Sequence, residues 1–367
     1  MNALGEARVY RAAIIGTGGI AHAHAQAVER SGGRAELVAV ADVDAGRARE
    51  FADKYGVPHA YAGAEELLRE QRPDTAHLCT PPRLHAPLAL ACLEAGVTAL
   101  VEKPPTLSLA ELDTLIEAER RTGAHVATVL QHRFGAAAAR LRRLQDSGEL
   151  GRPLLATCLT QWYRDDAYYA VPWRGTWESE GGGPTMGHGI HQFDLLLSVL
   201  GPWSEVTAVA ARQARPVDTE DVSMALVTFE SGAVATVVNS VVSPREASEL
   251  RFDYERATVE VEHLYGYTDD DWTVTPAPGQ EQVKALWGAE RGEGTSGHGD
   301  WLAAVLDALD RGQAPPVTTA DARRTMEFIA ALYASAFTGE RVRAGQITAD
   351  SPFARRMDGT GAPWRNP

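Results

Sequence analysis

The residues with the clearest chemical meaning form a glycine-rich string, Gly16-Thr17-Gly18-Gly19-Ile20-Ala21. Gly16 would permit a tight turn, and Gly18 would let the backbone approach a pyrophosphate. The helix that follows offers unpaired N–H groups and a positive dipole end to phosphates. The string therefore predicts a dinucleotide site, and a glycine-rich turn without a nucleotide is the competing interpretation. The residues expected to contact the cofactor here are Gly16, Gly18, Gly19 and Ile20.

The identity of the dinucleotide is indicated by Asp42, which stands at the end of the next apolar run. A carboxylate there can accept hydrogen bonds from both ribose hydroxyls, and its charge would repel a 2′-phosphate. Neither Val43 nor Asp44 offers a cation that would attract that phosphate. The sequence therefore favours NAD over NADP as the cofactor.

A lysine ends a further apolar run, in Ala99-Leu100-Val101-Glu102-Lys103-Pro104-Pro105. Ligands of open α/β sheets bind outside the carboxyl ends of the strands, so Glu102 and Lys103 are expected on the ligand side. Pro104 fixes the path by which the chain leaves the strand. A solvated Glu–Lys pair is the competing interpretation. The equivalent positions one run earlier, expected on the nicotinamide side, are Thr80, Pro81 and His85.

Two histidines and an aspartate occupy a predicted helix from about residue 185 to 200. Its apolar side chains share one face, and His188, His191 and Asp194 lie on the other. An imidazole beside a carboxylate suits acid–base catalysis, although an ordinary wet surface would give the same pattern. The same donors could ligate Zn²⁺ or Mn²⁺, but the sequence identifies no fourth ligand, and we predict no metal site.

Aromatic and basic residues are concentrated between residues 162 and 174. Aromatic faces suit the C–H faces of sugar rings, and arginines suit hydroxyls or carboxylates. Structural packing is the competing interpretation for each of them. The candidate pocket residues are Trp162, Tyr163, Arg164, Tyr168, Tyr169, Trp173 and Arg174. A second segment that could close the site begins a helix with His298, Asp300 and Trp301.

The elements that must position these residues follow from the hydrophobic pattern. Short β-rich runs alternate with helical stretches up to residue 131, which predicts a Rossmann-type doubly wound parallel sheet. These runs cover residues 9–15, 36–41, 75–80, 97–101 and 125–131. Later alternating runs predict a C-terminal α/β domain with a large open, mainly antiparallel sheet. Those runs cover residues 153–163, 205–212, 224–229, 233–242, 249–254 and 257–263.

The pattern divides the chain into two domains and a tail. The dinucleotide-binding domain is expected over residues 1–133 and the second domain over residues 134–345. The tail, residues 346–367, is rich in Pro, Gly and Arg. We expect it to be a mobile end or a subunit-contact arm and not part of either core.

The chain resembles the Gfo/Idh/MocA family of oxidoreductases, which includes glucose–fructose oxidoreductase, inositol dehydrogenase and rhizopine-catabolism proteins. The resemblance covers about residues 9–343, and its most specific string is VEKPPTLSLAEL around Lys103. The other strings are GTGGIAHAHAQAV, VAVADVD, CTPPRLHAPLALACLEAG, QHRF through SGELGRP, Trp173-Arg174, GGGPTMGHGIHQFDLLLSVLG and APPVTTADARRTMEFIAALYASAFTGERV.

The resemblance implies that Lys103 lies at the nicotinamide and the substrate, and that His191 lies beside the nicotinamide. It also implies a second domain that carries the substrate pocket and the contacts of a homodimer or homotetramer. The sequence departs from the family pattern GGGxLxDxGxHxxD at Gly187, where an aspartate normally orients the histidine. Three consequences are open: Asp194 orients His191 instead, His188 shares the acid–base work, or hydride transfer is weak or absent.

The leading hypothesis is NAD-dependent oxidation of a secondary alcohol of a sugar, inositol or related polyol. His191 would remove the hydroxyl proton, Lys103 would stabilise the developing alkoxide, and Asp194 would orient His191. The expected substrate contacts are Lys103, Arg164, Trp173, Arg174, His188 and His191. The alternatives are a glycoside-cleaving enzyme that recycles its NAD within each turnover and a non-catalytic NAD-binding regulator.

Composition limits the partners and the compartment. The net charge is −14, with 35 Lys and Arg against 49 Asp and Glu, which argues against nucleic acid or an anionic membrane. The N-terminus lacks the pattern of a secretory signal, and no apolar run approaches roughly 18 residues. Cys79, Cys92 and Cys158 lack CxxC spacing and fit reduced thiols. We therefore expect a cytoplasmic protein that binds neither nucleic acid nor membrane.

Overall fold

A computed structural model describes residues 8–262 and 265–365, and these form two compact units. Unit 1 contains residues 8–106, 111–129 and 298–323. Unit 2 contains residues 107–110, the described part of 130–297, and residues 324–365. The sequence predicts a single division at residue 133, whereas here residues 298–323 belong with unit 1.

Unit 1 is built on a parallel six-stranded sheet with the order β3-β2-β1-β4-β5-β6. Its strands are β1 (Tyr10–Ile15), β2 (Ala35–Ala41), β3 (His59–Tyr61), β4 (Thr75–Leu78), β5 (Thr98–Val101) and β6 (Val126–Thr128). Between them lie α1 (Ala21–Glu29), α2 (Ala45–Tyr55), α3 (Ala64–Gln71), α4 (His85–Glu94) and α5 (Leu109–Thr122). This strand order is that of a dinucleotide-binding doubly wound sheet, so the predicted fold class of the first domain is confirmed.

Unit 2 contains an eight-stranded sheet with the order β13-β12-β11-β7-β10-β9-β8-β14. Its strands are β7 (Pro153–Tyr163), β8 (Trp203–Ala211), β9 (Val222–Phe229), β10 (Val234–Ser240), β11 (Val242–Tyr254), β12 (Ala257–Glu262), β13 (Trp272–Pro276) and β14 (Val342–Arg343). Every pairing is antiparallel except that of β10 with β7. The predicted open, mainly antiparallel sheet is confirmed, and His263 of the run expected over 257–263 lies outside the described residues.

The remaining helices complete the two units. They are α6 (Ala136–Asp146), α7 (Asp166–Tyr169), α8 (Trp177–Glu180), α9 (Pro184–Gly187), α10 (Ile190–Leu200), α11 (Gln282–Ala289), α12 (His298–Asp310), α13 (Thr319–Thr338) and α14 (Pro352–Arg355). Helix α12 packs on α1 within unit 1 through an apolar face that includes Trp301, Leu302 and Val305. This packing explains why a contiguous second domain over 134–345 does not describe the chain. None of the described helices is both long and apolar enough to cross a membrane.

The prediction of a single helix from about residue 185 to 200 is wrong. The segment forms α9 and α10, and His188 and Gly189 separate them. At Gly189 a Cβ would lie 2.4 Å from Asn239 Oδ1, a close approach that residue periodicity does not reveal. The competing interpretation, an ordinary wet face, does not hold for His191 and Asp194, because both are buried on α10.

The expectation of a mobile or subunit-contact tail is contradicted for its described residues. Phe353 of α14 and the following Met357 are buried in unit 2. The rings of Phe353 and Trp364 lie 6.4 and 5.4 Å from that of Phe337 on α13. A few apolar side chains thus anchor a segment whose overall composition is that of a loop.

Candidate active site

The glycine-rich string forms the turn between β1 and α1. Gly16 has a φ of +91°, and a Cβ there would lie 2.9 Å from the carbonyl group of Cys79. A Cβ on Gly18 or Gly19 would meet no further heavy atom within 4 Å, so the turn is open above the start of α1. Ile20, the N-cap residue, is partly exposed at the same place. An open backbone cradle at a helix N-terminus fits the pyrophosphate of a dinucleotide.

Asp42 follows β2, and four donors hold its carboxylate. Oδ2 accepts hydrogen bonds from the N–H and hydroxyl of Thr17 at 2.9 and 3.0 Å. Oδ1 accepts from the N–H of Asp44 at 2.9 Å and from the guanidinium of Arg47 at 2.7 Å. Burial alone would raise the pKa of Asp42, but the bonds from Arg47 and the other donors outweigh it and lower the pKa. The sequence pattern did not reveal the guanidinium of Arg47 as a partner of Asp42, because this side chain reaches Asp42 from the first turn of α2.

The residues predicted after β4 and β5 lie at the carboxyl edge of the parallel sheet, as Gly16 and Asp42 do. Thr80 and Pro81 follow β4, and Lys103 follows β5 with its N–H donating to Glu102 Oε2 at 3.2 Å. The topology therefore collects the cofactor candidates of unit 1 at one edge, where ligands of such sheets bind.

His85 is placed differently from its prediction. Its ring is buried, with Nδ1 2.7 Å from the carbonyl oxygen of Pro104 and Nε2 2.8 Å from that of Thr80. Burial lowers the pKa of His85, against the effect of these two acceptors. The ring ties the loops after β4 and β5 together, so neither nitrogen is turned toward a nicotinamide.

Glu102 also points inward, into a histidine cluster that the sequence did not predict. Its Oε1 lies 3.0 Å from Nε2 of both His24 and His298, and His24 Nδ1 lies 2.8 Å from His77 Nδ1. Burial would raise the pKa of Glu102, but the bonds from His24 and His298 hold it well below its usual range. His24 and His298 are 78 and 196 positions away from Glu102, so no local motif marks the cluster.

This cluster is also the group of described residues that could hold a metal ion. The ligand atoms of His24, Glu102 and His298 lie within 4.8 Å of one another. Nε2 of His24 and Nε2 of His298 both lie within hydrogen-bond distance of the Glu102 carboxylate, so these potential ligand atoms already have a protein partner.

In unit 2, His191 belongs to a cluster of stacked and edge-on rings. It lies on α10, buried, with its ring centroid 4.8 Å from that of His132 and 5.3 Å from that of Tyr265. The rings of His132 and Tyr265 are 4.7 Å apart and nearly perpendicular. Sequence analysis used the string around His132 only as evidence of resemblance and gave neither residue a role.

Asp194, the predicted partner of His191, is fully buried and ion-paired with Arg133. Arg133 Nε donates to Asp194 Oδ2 at 2.7 Å, and its Nη2 donates to Oδ1. The hydroxyl of Thr325 is 3.4 Å from Oδ1. The buried carboxylate is therefore paired with a bidentate guanidinium, a partner that lies 61 positions away in sequence.

His188 joins the predicted pocket residues of unit 2. Its ring is edge-on to Trp162, with centroids 4.8 Å apart, and 6.2 Å from the ring of Tyr168. The guanidinium of Arg174 lies 3.9 Å from the Tyr168 ring centroid and 4.4 Å from that of Trp173. These contacts make His188, Arg174 and Trp173 part of one polar–aromatic surface.

Arg164 and Tyr265 extend this surface. The guanidinium of Arg164 lies 4.6 Å from the ring centroid of Trp162. The Trp162 ring is in turn 5.1 Å from Tyr265, which contacts His191. The structure thus brings the unit 2 candidates together, with Trp162, Tyr168 and Tyr265 as the links between them.

The loop before α9 is positioned by Glu220, which the sequence did not single out. Its buried carboxylate accepts from the N–H groups of Gly183 and Thr185 at 3.0 and 3.1 Å and from the Tyr333 hydroxyl at 2.8 Å. A Cβ on Gly183 would lie 2.0 Å from the carbonyl oxygen of Glu220. At Gly187, by contrast, a Cβ would meet nothing within 4 Å, so the family's aspartate would have space there.

Comparison with known proteins connects both units to one family. Residues 10–129 match an oxidoreductase family with an NAD-binding Rossmann fold, and residues 138–279 match the GFO/IDH/MocA C-terminal domain. The myo-inositol 2-dehydrogenase of Thermotoga maritima is 30% identical over 237 residues, which cover 63% of this chain and 68% of that protein. The chain belongs to the Gfo/Idh/MocA oxidoreductase family.

Relatives within the Gfo/Idh/MocA family extend over nearly the whole chain. The D-glucoside 3-dehydrogenase of Escherichia coli K12 is 27% identical over 358 residues, covering 90% of this chain and 97% of that protein. The WlbA dehydrogenase of Chromobacterium violaceum, solved with NADH and UDP-GlcNAcA, has a TM-score of 0.81 at 26% identity and covers 94% and 98% of the two chains. The predicted family and the NAD-binding first domain are confirmed, and the chain is an NAD-dependent oxidoreductase.

Proposed function

We propose that this member of the Gfo/Idh/MocA family is a dehydrogenase that oxidises a secondary alcohol of a sugar, inositol or related polyol. The observation that carries the proposal is the position of Lys103 at the carboxyl edge of the NAD-binding sheet, the edge of Gly16 and Asp42. The relatives named for D-glucosides and myo-inositol support the substrate class.

The proposed mechanism assigns a role to each charged candidate. NAD, when bound, supplies the oxidising equivalent. His191 removes the proton of the substrate hydroxyl, because an imidazole titrates near neutral pH. Lys103 stabilises the negative charge that develops on the substrate oxygen. Asp194, itself fixed by Arg133, positions His191 on the same helix face, three residues away.

The surface around His188 is proposed to bind the substrate. Arg164, Trp173 and Arg174 combine guanidinium groups with aromatic rings, the chemistry that suits hydroxyls and the C–H faces of a sugar. Since Gly187 replaces an aspartate of the family pattern, this pocket is expected to differ from that of inositol dehydrogenases while the chemistry is kept.

Substitution of Lys103 tests the assignment. Lys103→Ala is expected to lower kcat by about 10²–10³-fold, as loss of one donor to a developing oxyanion does. The Kd for NAD, measured by the displacement of bound fluorescent NADH, should stay nearly unchanged. Lys54→Ala, at an exposed lysine of α2, is the matched control and should change neither quantity. Equal losses in kcat and NAD affinity would instead make Lys103 a cofactor anchor.

We further propose that the chain is cytoplasmic and assembles as a homodimer or homotetramer. The support for assembly is an apolar outer face of the unit 2 sheet, on which Val209, Met224, Leu226, Val234 and Leu155 are exposed. Exposed apolar patches of this kind are characteristic of protein–protein contacts.

A further inference from the structure

Arg47 occupies part of the binding surface that the ribose of NAD requires. An ionised carboxylate offers about four lone-pair positions, and the four donors around Asp42 fill them. The donors from Thr17 and Asp44 belong to the turns that end β1 and β2, two of them being backbone N–H groups. Arg47 differs from these donors, because its long, flexible side chain is 55% exposed and contacts Asp42 through its guanidinium.

A ribose hydroxyl can therefore reach Asp42 Oδ1 most easily when Arg47 leaves it. The guanidinium would not have to leave the neighbourhood, because Asp44 Oδ2 lies 4.0 Å from Arg47 Nε and keeps a second carboxylate beside it. The 2′-phosphate of NADP replaces a ribose hydroxyl that Asp42 would accept, so a guanidinium released from Oδ1 would have its N–H donors near that phosphate. Arginine matches phosphate with bidentate geometry.

We propose that Arg47 sets the margin by which the enzyme prefers NAD over NADP, by competing with the NAD ribose for Asp42 and by binding the 2′-phosphate of NADP. NAD remains the better ligand, because Asp42 and Asp44 still place two negative charges beside that phosphate. The inference deepens the proposed function and rests on it for the use of a nicotinamide dinucleotide.

Removal of the Arg47 side chain should affect the Kd values of the two dinucleotides differently. In Arg47→Ala, the Kd for NADP should rise at least about tenfold, equivalent to roughly 1.4 kcal/mol, because the phosphate loses its cation. The Kd for NAD should stay the same or fall, because Asp42 Oδ1 becomes available to the ribose. Both constants can be measured by displacement of fluorescent NADH with NAD or NADP, without turnover.

Two further variants make the test specific. Arg49→Ala removes an arginine of the same helix that donates to the carbonyl oxygen of Ala45, and it should change neither constant. Arg47→Lys keeps the charge but loses the planar fork, and its affinity for NADP should lie between those of wild type and Arg47→Ala. Circular dichroism of each variant establishes that it is folded.

Several outcomes would overturn the inference. If Arg47→Ala weakens the binding of NAD and of NADP equally, Arg47 contacts a group that both dinucleotides carry, such as the adenine. If wild-type protein binds NADH but NADP never displaces it, Arg47 does not serve a phosphate. If the wild type binds neither dinucleotide, the proposed function fails instead, so the two failures are distinguishable.

Discussion

Arg133 and Asp194 show how a single ion pair changes the interpretation of a catalytic candidate. Sequence spacing presents Asp194 as a surface carboxylate beside His191, whereas the structure buries it completely and pairs it with Arg133. Breaking such a pair from one side leaves an uncompensated charge in the protein interior. Asp194 is therefore first a structural anchor of α10 and, through that position, a proposed positioning residue for His191.

Removal of the guanidinium tests this assignment. Arg133→Ala should lower the free energy of unfolding by about 3–5 kcal/mol, because Asp194 stays buried without its partner. The double variant with Asp194→Asn should lose less than the sum of the single variants, which is the mark of a direct interaction. Urea denaturation gives these values. Arg121→Ala, which breaks an exposed pair with Glu94, is the control, and an effect of Arg133→Ala no larger than this control would contradict the account.

Among the elements, β7, β8, β9 and β10 carry the feature proposed to bind other copies of the chain. Their buried residues alternate with outward apolar ones, so Val209 faces Met224 across one strand pair and Val234 faces Leu155 across another. Leu226, in the middle of β9, is 65% exposed. A charge placed there would be solvated in a monomer but buried in an assembly.

Leu226→Lys is therefore expected to reduce the assembled mass without lowering the stability of the fold. Light scattering should give a dimer or tetramer for the wild type and a smaller species for Leu226→Lys. The control is Leu286→Lys, at an exposed leucine of α11, which should leave the mass unchanged. A monomeric wild type, or a variant that keeps the wild-type mass, would argue against assembly through this face.

The helices and strands also show what the sequence could and could not predict. Apolar and β-rich runs predicted β1, β2 and β7 within about two residues, because local patterning determines these strands. The strand β3 has three residues and β14 has two, too few to show a period. The break between α9 and α10 falls at His188 and Gly189, and the side chain that Gly189 approaches, Asn239, lies 50 positions further on, where residue periodicity gives no signal.

At the site, residues of one turn were predictable and long-range partners were not. The turn at Gly16 and the carboxylate Asp42 follow from a motif with fixed local spacing. His85 and Glu102 share that kind of local context, yet carbonyl groups and distant histidines turn them inward. Such partners are set by tertiary packing, and no spacing rule connects them.

For the whole molecule, the residues proposed to take part in the reaction are found in both units. Unit 1 supplies the NAD-binding edge and Lys103, and unit 2 supplies His191 with the polar–aromatic surface. Neither set alone contains both the proposed cofactor site and the proposed base. We therefore expect turnover to require the complete chain.

Net reduction of NAD distinguishes a dehydrogenase from an enzyme that recycles its NAD and from a regulator. The purified wild-type chain would be incubated with NAD and a panel of sugars, glucosides and inositols, with the absorbance of reduced nicotinamide and the products recorded together. For a dehydrogenase, we expect reduced nicotinamide to accumulate with one class of polyol, in step with the ketone product. Tight NAD binding without accumulation would contradict it: cleaved glycosides would then indicate internal recycling of NAD, and no product at all would indicate a regulator.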